Sequence, residues 1–560
     1  MADATQREKM AALGGVLAVL FLSSLNMTVV GTALPRIIAE LEGFDLYAWA
    51  FTSFSLASTV TLPIYGRISD VVGRRPVLLA GIVAFTVASL LAGASQSMGQ
   101  LVAFRALQGI GGGALISMSW AAIGDIFAPR ERGRYQGLTG AVFGVSSVIG
   151  PLVGGLLTDT LGWRWVFFVN VPVAVIAFEI VRRYLPRSVR RPGSGIDLPG
   201  TVLLITGTVP LLVALTWAGT TYPWTDVRVV SAFALAAVGL AGFVVVQLRS
   251  SHPTLDPALF RDRTYRVANI AAFLTGIGLF GAVIYLPLYI QGVQGGSAAA
   301  SGFVLAPMMI GVVLGSTLSG WLASRTGRYR RWIAIGVALM AVGFAATATF
   351  GPDTPMVTVV AWMVVLGTGI GPTNSLLTLA VQNALPIHLL GAATSANQFF
   401  RQIGGTLGVT IFGAIVAGRV RAGLPGLLAD DAAKVPASVL ASLSDPNLLT
   451  DPDRVDAVRR TVVPLLGADR FAAFLASLRS LLGGAVSEVF VVALVVTVVA
   501  LVVVARLPEA ELDDGVARAS TVNDEPAGGE AESGAGRGSR DPAPVPSAAS
   551  TAASVSHGRG

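Results

Sequence analysis

Long apolar runs separated by short polar loops follow one another along most of the chain. Fourteen such runs span residues 13–35, 49–65, 77–94, 101–123, 138–157, 166–181, 198–217, 229–247, 267–289, 302–322, 332–350, 357–381, 392–420 and 486–505. A helix needs about 20 apolar residues to cross a bilayer, and its backbone satisfies its own hydrogen bonds there. Strands of a membrane β-barrel are shorter and alternate apolar with polar residues. The pattern predicts an all-α integral membrane protein with about 14 transmembrane helices.

Composition supports the membrane interpretation and narrows the chemistry. Of the 560 residues 53% are hydrophobic and 13% charged, with a mean hydropathy of +0.70; a soluble protein would be about a quarter charged. The chain has no cysteine, which excludes disulfides and thiol chemistry. The net charge of +7 comes from arginines. They cluster at the ends of the apolar runs, so the charge does not indicate nucleic-acid binding.

Arginines also predict how the chain is oriented. They concentrate in alternate loops, at 67–75, 130–134, 182–191, 249–266 and 325–331, whereas loops 95–100, 294–297 and 351–355 have none. The positive-inside rule places the arginine-rich loops, and with an even helix count both termini, in the cytoplasm. The first run is too long for a cleaved signal peptide. We therefore expect a multi-pass protein of the plasma (inner) membrane, and the bias of arginine over lysine favours a bacterial source.

Parts of the first half return in the second half. The segment from Gly66 through Asp70 and Gly73 to Arg74 is echoed at 320–328, with serine in place of the aspartate. The glycine before the fifth run, Gly133, has a counterpart before the thirteenth. Ordered echoes at similar offsets indicate a duplication, in which two bundles enclose a central cavity and rock against each other.

The echo predicts four segments. A six-helix bundle covers 1–190, an inserted helix pair covers 191–252, and a second six-helix bundle covers 253–507. Within the last, residues 421–484 mix Pro, Asp and Arg, and we expect a small helical cap or hairpin on the outer side. Residues 508–560 are rich in Ala, Gly, Ser, Pro and Glu, which predicts a disordered cytoplasmic tail.

Two polar motifs interrupt the first bundle. In the loop between the second and third runs, glycines permit a tight turn, and Asp70 can accept from a helix N-terminus or pair with an arginine such as Arg134. In the fourth run Arg105 and Gln108 lie at membrane depth. A buried arginine costs about 2.5–3.5 kcal/mol on insertion scales, so Arg105 either faces the protein interior or extends to the interface.

Two further motifs concern helix packing and the cavity. The fifth run contains Gly144, Gly150, Pro151, Gly154 and Gly155, which favour close helix contact and a kink. The cavity candidates are the polar residues within the spans: Asn26, Gln108, Asn397, Gln398 and Arg401. The last three, in the thirteenth run, form either a polar cavity wall or a buried hydrogen-bond network. The segment 163–172 is interpreted as an interfacial anchor of Trp and Arg.

Over residues 13–504 these motifs resemble the major facilitator superfamily, in its fourteen-helix multidrug–proton antiporter branch. The resemblance implies that Gly66, Asp70, Gly73 and Arg74, with Arg134, close a cytoplasmic gate. It implies that Arg105, and Asp70 with it, are candidates for proton coupling, and that the glycines and proline of the fifth run mark an exporter. The implied activity is export of hydrophobic or amphipathic small molecules in exchange for protons.

The chain departs from this pattern at Asn26, where members of the family commonly carry an aspartate. Asparagine cannot bind and release a proton. The remaining acids, such as Asp70, Asp125 and Glu179, lie near predicted cytoplasmic ends, so the spans hold no obvious deep acid. This leaves proton coupling open and argues against a strongly cationic substrate.

Other functions remain open at this stage. One is a proton-independent carrier of a neutral metabolite or lipid-like molecule; another is a membrane sensor or scaffold on a transporter fold. The sequence contains no Ser/His/Asp set, metal-binding cluster, nucleotide loop or dinucleotide fingerprint. It therefore predicts no enzyme activity, no metal or other cofactor and no nucleotide.

Overall fold

Residues 5–41, 46–186, 195–219, 221–296, 298–427, 448–450, 452–509 and 512 are described by a computed structural model. Most of them are helical, as predicted. The helices are α1 Gln6–Leu41, α2 Tyr47–Val72, α3 Arg74–Gly93, α4 Met98–Ile126, α5 Pro129–Thr160, α6 Trp165–Phe168, α7 Asn170–Tyr184, α8 Leu198–Trp217, α9 Val227–Arg249, α10 Arg263–Leu288, α11 Ala298–Thr326, α12 Arg330–Thr347, α13 Met356–Ala384, α14 Leu390–Leu427, α15 Pro452–Leu466 and α16 Ala468–Ala505.

Thirteen segments of the described chain are long and apolar enough to cross a membrane. The short α6 and the following α7 together make one of them. The sequence predicts about 14 spans, and the one absent from the thirteen is α2. With 26 residues it is long enough to cross a bilayer, but its middle is rich in Ser and Thr.

The polar residues of α2 are accommodated by its surroundings. Thr59 and Thr61 donate hydrogen bonds to backbone carbonyls one turn earlier in the same helix. The helix packs along α4 on one side and α14 on the other. A helix enclosed in this way needs a less apolar surface than one surrounded by lipid. The described bundle therefore contains α2 in addition to the thirteen apolar segments.

The first seven helices pack mainly on one another. α4 lies against α2 and α3, and α1 lies against α4, α5 and α7. Their shared core contains large buried side chains, including Phe54, Phe85, Leu115 and Met118. In the second half α11 packs on α13, α10 on α14, and α16 on both α10 and α12. The two groups meet along α5 with α11 and along α2 with α14.

The inserted pair, α8 and α9, packs face to face at two glycines. A Cβ on Gly207 would lie 2.8 Å from the backbone nitrogen of Leu240, so the helices touch almost without side chains between them. Near the start of α8, Asp197 accepts a hydrogen bond from Gln247 at 2.6 Å. Toward the other end, Thr410 of α14 donates to the carbonyl of Leu215. The pair is thus attached to the bundle through α8.

In the region predicted as an outer segment, 421–484, the described residues are mainly helical, and the two membrane helices that flank it extend into it. α14 continues to Leu427, and α16 begins at Ala468 rather than near residue 486. Between them α15 packs against α16 through Val458 and Val462. Residues 428–447 and 451 lie outside the described residues, as does the predicted tail apart from residues 508, 509 and 512.

The segment 163–172 is not simply an interfacial anchor. Trp163 is buried and donates through Nε1 to Glu40 at 2.9 Å, and Arg164 forms an ion pair with the same carboxylate. Arg164 thereby lowers the pKa of Glu40 below its ordinary value. Only Trp165 has the exposed surface expected of an anchor. The segment ties the end of α1 to the start of α6.

Candidate functional site

Asp70, at the end of α2, accepts hydrogen bonds from the first turn of α14. Its carboxylate oxygens lie 3.1 Å from the backbone nitrogen of Gly391 and 2.8 Å from that of Ala392. These amides have no partner within their own helix, and the helix dipole favours an anion at this end. The Asp70 side chain is only 4% exposed. The predicted gate aspartate therefore connects the two halves of the chain.

Arg74, and not Arg134, is the basic partner of Asp70. Nη1 of Arg74 donates to Asp70, and Nε lies 3.2 Å from a carboxylate oxygen of Asp125. The turn that brings Arg74 back onto α2 is made by Gly73, whose φ of 100° favours glycine. Arg134 is exposed, with its guanidinium 5.8 Å from the ring centre of its neighbour in the chain.

The echoed glycines form two equivalent contacts between the halves. A Cβ on Gly66 of α2 would lie 2.9 Å from the carbonyl oxygen of Gly391 in α14. A Cβ on Gly320 of α11 would lie 2.0 Å from the carbonyl oxygen of Gly133 in α5. If each residue is replaced by its equivalent in the other half, the contact of Gly66 with Gly391 becomes the contact of Gly320 with Gly133. The aspartate of the motif, Asp70, is present only beside the contact of Gly66 with Gly391. At the equivalent position beside the other contact the chain has Ser324.

The motif glycines of α5 serve two different contacts. One row of glycines in α5 faces α11: Gly133, Gly137, Gly140 and Gly144. Gly150 and Gly154 instead face α1, where added Cβ atoms would lie 1.9 Å from Thr28 Oγ1 and 2.8 Å from the Val29 carbonyl. Pro151 is exposed, and nothing lies within 4 Å of a Cβ on Gly155. In the predicted motif, Gly144 thus belongs to the contact between the halves, whereas Gly150 and Gly154 belong to a contact within the first half.

Arg105 is fully buried within the first bundle and does not extend to the interface. Nε donates to the carbonyl of Ala50 at 3.0 Å, and Nη1 donates to Gln108 Oε1 at 2.6 Å. The ring of Phe54 covers the guanidinium with its centre 4.5 Å away. The arginine therefore connects α4 to α2 inside the bundle.

The network continues from Gln108 to two other helices. Gln108 Nε2 donates to Asn26 Oδ1 at 3.1 Å and to Ser89 Oγ at 3.0 Å. Asn170 also donates to Ser89 at 3.0 Å. Four helices are thus joined by amides and a hydroxyl. The described ion pairs include none between this network and an acid.

A second network in the other half contains Arg401. Nη1 of Arg401 donates to Asn374 Oδ1 in α13, and Nη2 lies 3.3 Å from Asn397 Oδ1. Asn397 also accepts from Thr378 and donates to Asn269 of α10, both at 3.1 Å. The predicted group of Asn397, Gln398 and Arg401 is therefore buried between helices, with the partially buried Asn374 at its edge.

Further hydrogen bonds join the halves in the region of the gate motif. The contacts are Gln136 Nε2 to Gln382 Oε1 at 2.7 Å, Gln382 Nε2 to the Trp120 carbonyl at 3.1 Å, and Ser117 with Ser395. Together with the Asp70 contact, they close the arginine-rich end of the molecule between the two halves. An arrangement of this kind can open toward one face while remaining closed at the other.

Several polar residues of these networks were not among the predicted site residues. They are Ser89, Asn170, Asn269, Asn374, Gln136 and Gln382, and each is buried or half-buried. A signal was present, since an amide in a transmembrane helix is costly without a partner. Listing every Asn and Gln within the apolar runs would have found Asn170, Asn269 and Asn374, without showing which pairs meet.

Comparison with known proteins adds family information. The family model described as Major Facilitator Superfamily matches residues 16–409. The multidrug transporter protein MdtP of Bacillus subtilis (strain 168) is 38% identical over 417 residues, covering 74% of this chain and 77% of the relative. Multidrug resistance protein 3 of the same organism is 38% identical over 401 residues, covering 72% and 78%.

Solved structures agree on the fold. The crystal structure of the human organic anion transporter MFSD10 (TETRAN) matches with a TM-score of 0.56 and 15% sequence identity, covering 87% of this chain and 99% of that chain. At this identity the similarity establishes the helical architecture alone.

Proposed function

The chain belongs to the major facilitator superfamily, and from that premise we propose that it exports hydrophobic or amphipathic small molecules by alternating access. We place it in the fourteen-helix multidrug–proton antiporter branch, with the two six-helix bundles, inserted pair and tail at the boundaries predicted from the sequence. The names of two bacterial relatives, a multidrug transporter and a multidrug resistance protein, support this assignment. We propose the bacterial inner membrane as its location, with both termini in the cytoplasm.

The observation that carries the proposal is the closed contact between the halves at the arginine-rich end. It depends on a few hydrogen bonds, led by those of Asp70 with the start of α14, and on glycine-lined helix crossings. At these crossings backbone approaches backbone, so few side chains have to disengage there when the halves separate. Opening this end and closing the other would move a bound molecule across the membrane.

Proton coupling is the finer part of the proposal. The acids at the inter-half contact are Asp70 and Asp125, which share Arg74. Protonation of Asp70 would remove the charge that α14 and Arg74 bind, and so would weaken the closed state of this end. Protons drive transport only through such a difference in affinity between two states.

Flux measurements in proteoliposomes test proton coupling directly. We expect a fluorescent amphipathic dye to accumulate in vesicles whose lumen is more acidic than the bath. A gradient of about one pH unit supplies about 1.4 kcal/mol per proton, enough for about a tenfold accumulation. Collapsing the gradient with a protonophore should abolish the accumulation, and protein-free vesicles give the background.

The second candidate, a proton-independent carrier, is favoured by the composition of the two buried networks. Around Arg105 and Arg401, the described partners are amides, hydroxyls and backbone carbonyls, none of which titrates near neutral pH. Equal dye flux with and without the proton gradient would support this candidate and reject antiport.

Introducing an acid at Asn26 also tests proton coupling, by adding a titratable group to the network around Arg105. Asn26→Asp keeps the acceptor that Gln108 uses and replaces the amide nitrogen, which has no hydrogen-bond partner. We expect the variant to fold and its dye flux to acquire a new dependence on pH between about 4 and 7, because a buried carboxyl titrates above its ordinary range. A pH profile identical to wild type would show that this position does not contribute to coupling. Asn26→Ser serves as the control that alters the network without adding an acid.

A further inference from the structure

Arg401 carries a positive charge deep in the second bundle, and no ion pair joins it to an acid among the described residues. It lies 11 residues beyond the start of α14, which at about 1.5 Å per residue is about 16 Å along the helix. Its described partners are the side chain of Asn374, backbone carbonyls of α13 and the amide of Asn397. A buried cation is costly unless it is paired, so the site favours an anion.

The unused hydrogen-bonding groups at this site are donors. Nε of Arg401 and Nε2 of Gln398 are both buried without an acceptor. The two residues are 5% and 6% exposed, and they are three positions apart on α14, so they share a helix face. Unsatisfied buried donors are rare in proteins. One on an arginine without an acidic partner, and one on the neighbouring Gln398, indicate that an acceptor-bearing ligand completes the site.

Arg105 does not offer the same opportunity. Its Nη2 is also a buried donor without a partner, but its guanidinium is fully enclosed, with Phe54 over its face and with Ala50 and Gln108 as acceptors. Arg401 instead points toward Asn374, which is only partially buried. Arg401 itself is 5% exposed and its partner Asn374 is more exposed, whereas Arg105 has no exposed surface.

We propose that Arg401 and Gln398 bind the anionic group of the transported amphiphile, a carboxylate or sulfonate, while its apolar part occupies the space between the halves. An arginine presents paired donors that fit such a group, and charge-assisted hydrogen bonds are the stronger kind. The inference rests on the proposed function, which it deepens by naming a substrate class. It agrees with the lack of a deep acid that would neutralise a cation.

Two dyes with one skeleton provide the test. 8-Anilinonaphthalene-1-sulfonate differs from N-phenyl-1-naphthylamine by its sulfonate. We expect the wild-type protein, in nanodiscs of zwitterionic lipid, to bind the sulfonate at least about tenfold more tightly, after subtraction of empty nanodiscs. In Arg401→Gln, which removes the charge, the ratio of the two Kd values should fall to about one.

A second variant and a control make the result specific. Asn374→Asp gives Arg401 a permanent carboxylate where it now meets an amide, and should also bring the ratio to about one. Arg419→Gln removes another arginine of α14, an exposed one paired with Glu488 at 2.8 Å, and should keep the wild-type ratio. If Arg401→Gln does not fold, the ratio of the two Kd values in Asn374→Asp is the test.

Two outcomes would overturn the proposal: equal Kd values in the wild type, or an unchanged ratio in a folded variant of Arg401 or Asn374. Export is measured separately, as efflux of both dyes from cells. A ratio of one with efflux intact rejects the anion site and leaves export standing. A wild-type preference for the sulfonate without efflux of either dye rejects export and leaves the anion site standing.

Discussion

Replacing Gly320 by alanine is expected to reduce transport by about a hundredfold. The added Cβ would lie 2.0 Å from the carbonyl oxygen of Gly133 and 2.7 Å from its carbonyl carbon. Ordinary contact begins near 3.4 Å, so the two atoms would have to separate by about 1.4 Å (3.4 Å less 2.0 Å), and α5 and α11 with them. The obstacle is backbone and cannot rotate away. Overpacking of this kind costs about 1–3 kcal/mol, and its upper end corresponds to about a hundredfold change in a conformational equilibrium.

The variant should accumulate in the conformation that is open at the arginine-rich end. Because the chain has no cysteine, one can be introduced at Ser117, which contacts Ser395 across the closed interface. We expect a membrane-impermeant thiol reagent, applied from the arginine-rich side, to label it faster in Gly320→Ala than in the parent. The control is Gly418→Ala, on an exposed position of α14 with nothing within 4 Å of the new Cβ.

The same contact predicts an order of effects. A Cβ on Gly133 would meet the Gly320 carbonyl oxygen at 2.9 Å, a less severe approach than the reverse. Gly133→Ala should therefore impair transport less than Gly320→Ala. Equal transport in both variants and the parent, with unchanged labelling at residue 117, would mean that this crossing is not part of the cycle.

The number and order of the helices could be predicted from the sequence because hydrophobic length is a local property. The boundaries of α16 could not. Its first two turns, beginning at Ala468, are stabilised by packing against α15, and residues such as Asp469 and Arg470 interrupt the apolar pattern there. Hydropathy alone starts the span only where the polar residues end.

The echoed glycines show how far pattern can reach into the site. The sequence pairs Gly66 with Gly320 and Gly133 with Gly391 as equivalent positions. The structure shows that the physical contacts cross these pairs, with Gly66 against Gly391 and Gly320 against Gly133. Equivalence can be recognised from spacing, whereas contact between residues nearly 200 or more positions apart depends on how the halves dock.

The partner of Asp70 illustrates the same limit. The sequence allows either a helix N-terminus or an arginine such as Arg134, since both are chemically suitable. The structure uses the N-terminus of α14 and takes Arg74 of the same motif as the basic partner. The positive φ of Gly73 decides this choice. It turns α3 so that Arg74 returns to α2, and no residue-type preference would have shown that.

Asp70→Asn is expected to be the second most damaging change, with a loss of transport of about 30- to 100-fold. The asparagine can offer an oxygen to one of the two amides, at Gly391 or Ala392, but its NH₂ group cannot accept from the other. The substitution also removes one of the two negative charges that Arg74 pairs with, those of Asp70 and Asp125. Charge-assisted hydrogen bonds contribute about 1.5–3 kcal/mol each, and about 2–3 kcal/mol corresponds to the expected loss.

Dye efflux from cells and the labelling of a cysteine at residue 117 would measure this effect together. Asp226→Asn is the matched control, because Asp226 also caps a helix, accepting from the Arg228 amide at 2.8 Å, but does so on the inserted α9. Asparagine caps helices about as well as aspartate, so a capping defect alone predicts little change in either variant. Loss of efflux in Asp70→Asn alone, with faster labelling, assigns the effect to closure between the halves and argues against a sensor without transport. Normal efflux in Asp70→Asn would show that the cycle does not depend on this charge, and proton coupling would then need a different acid.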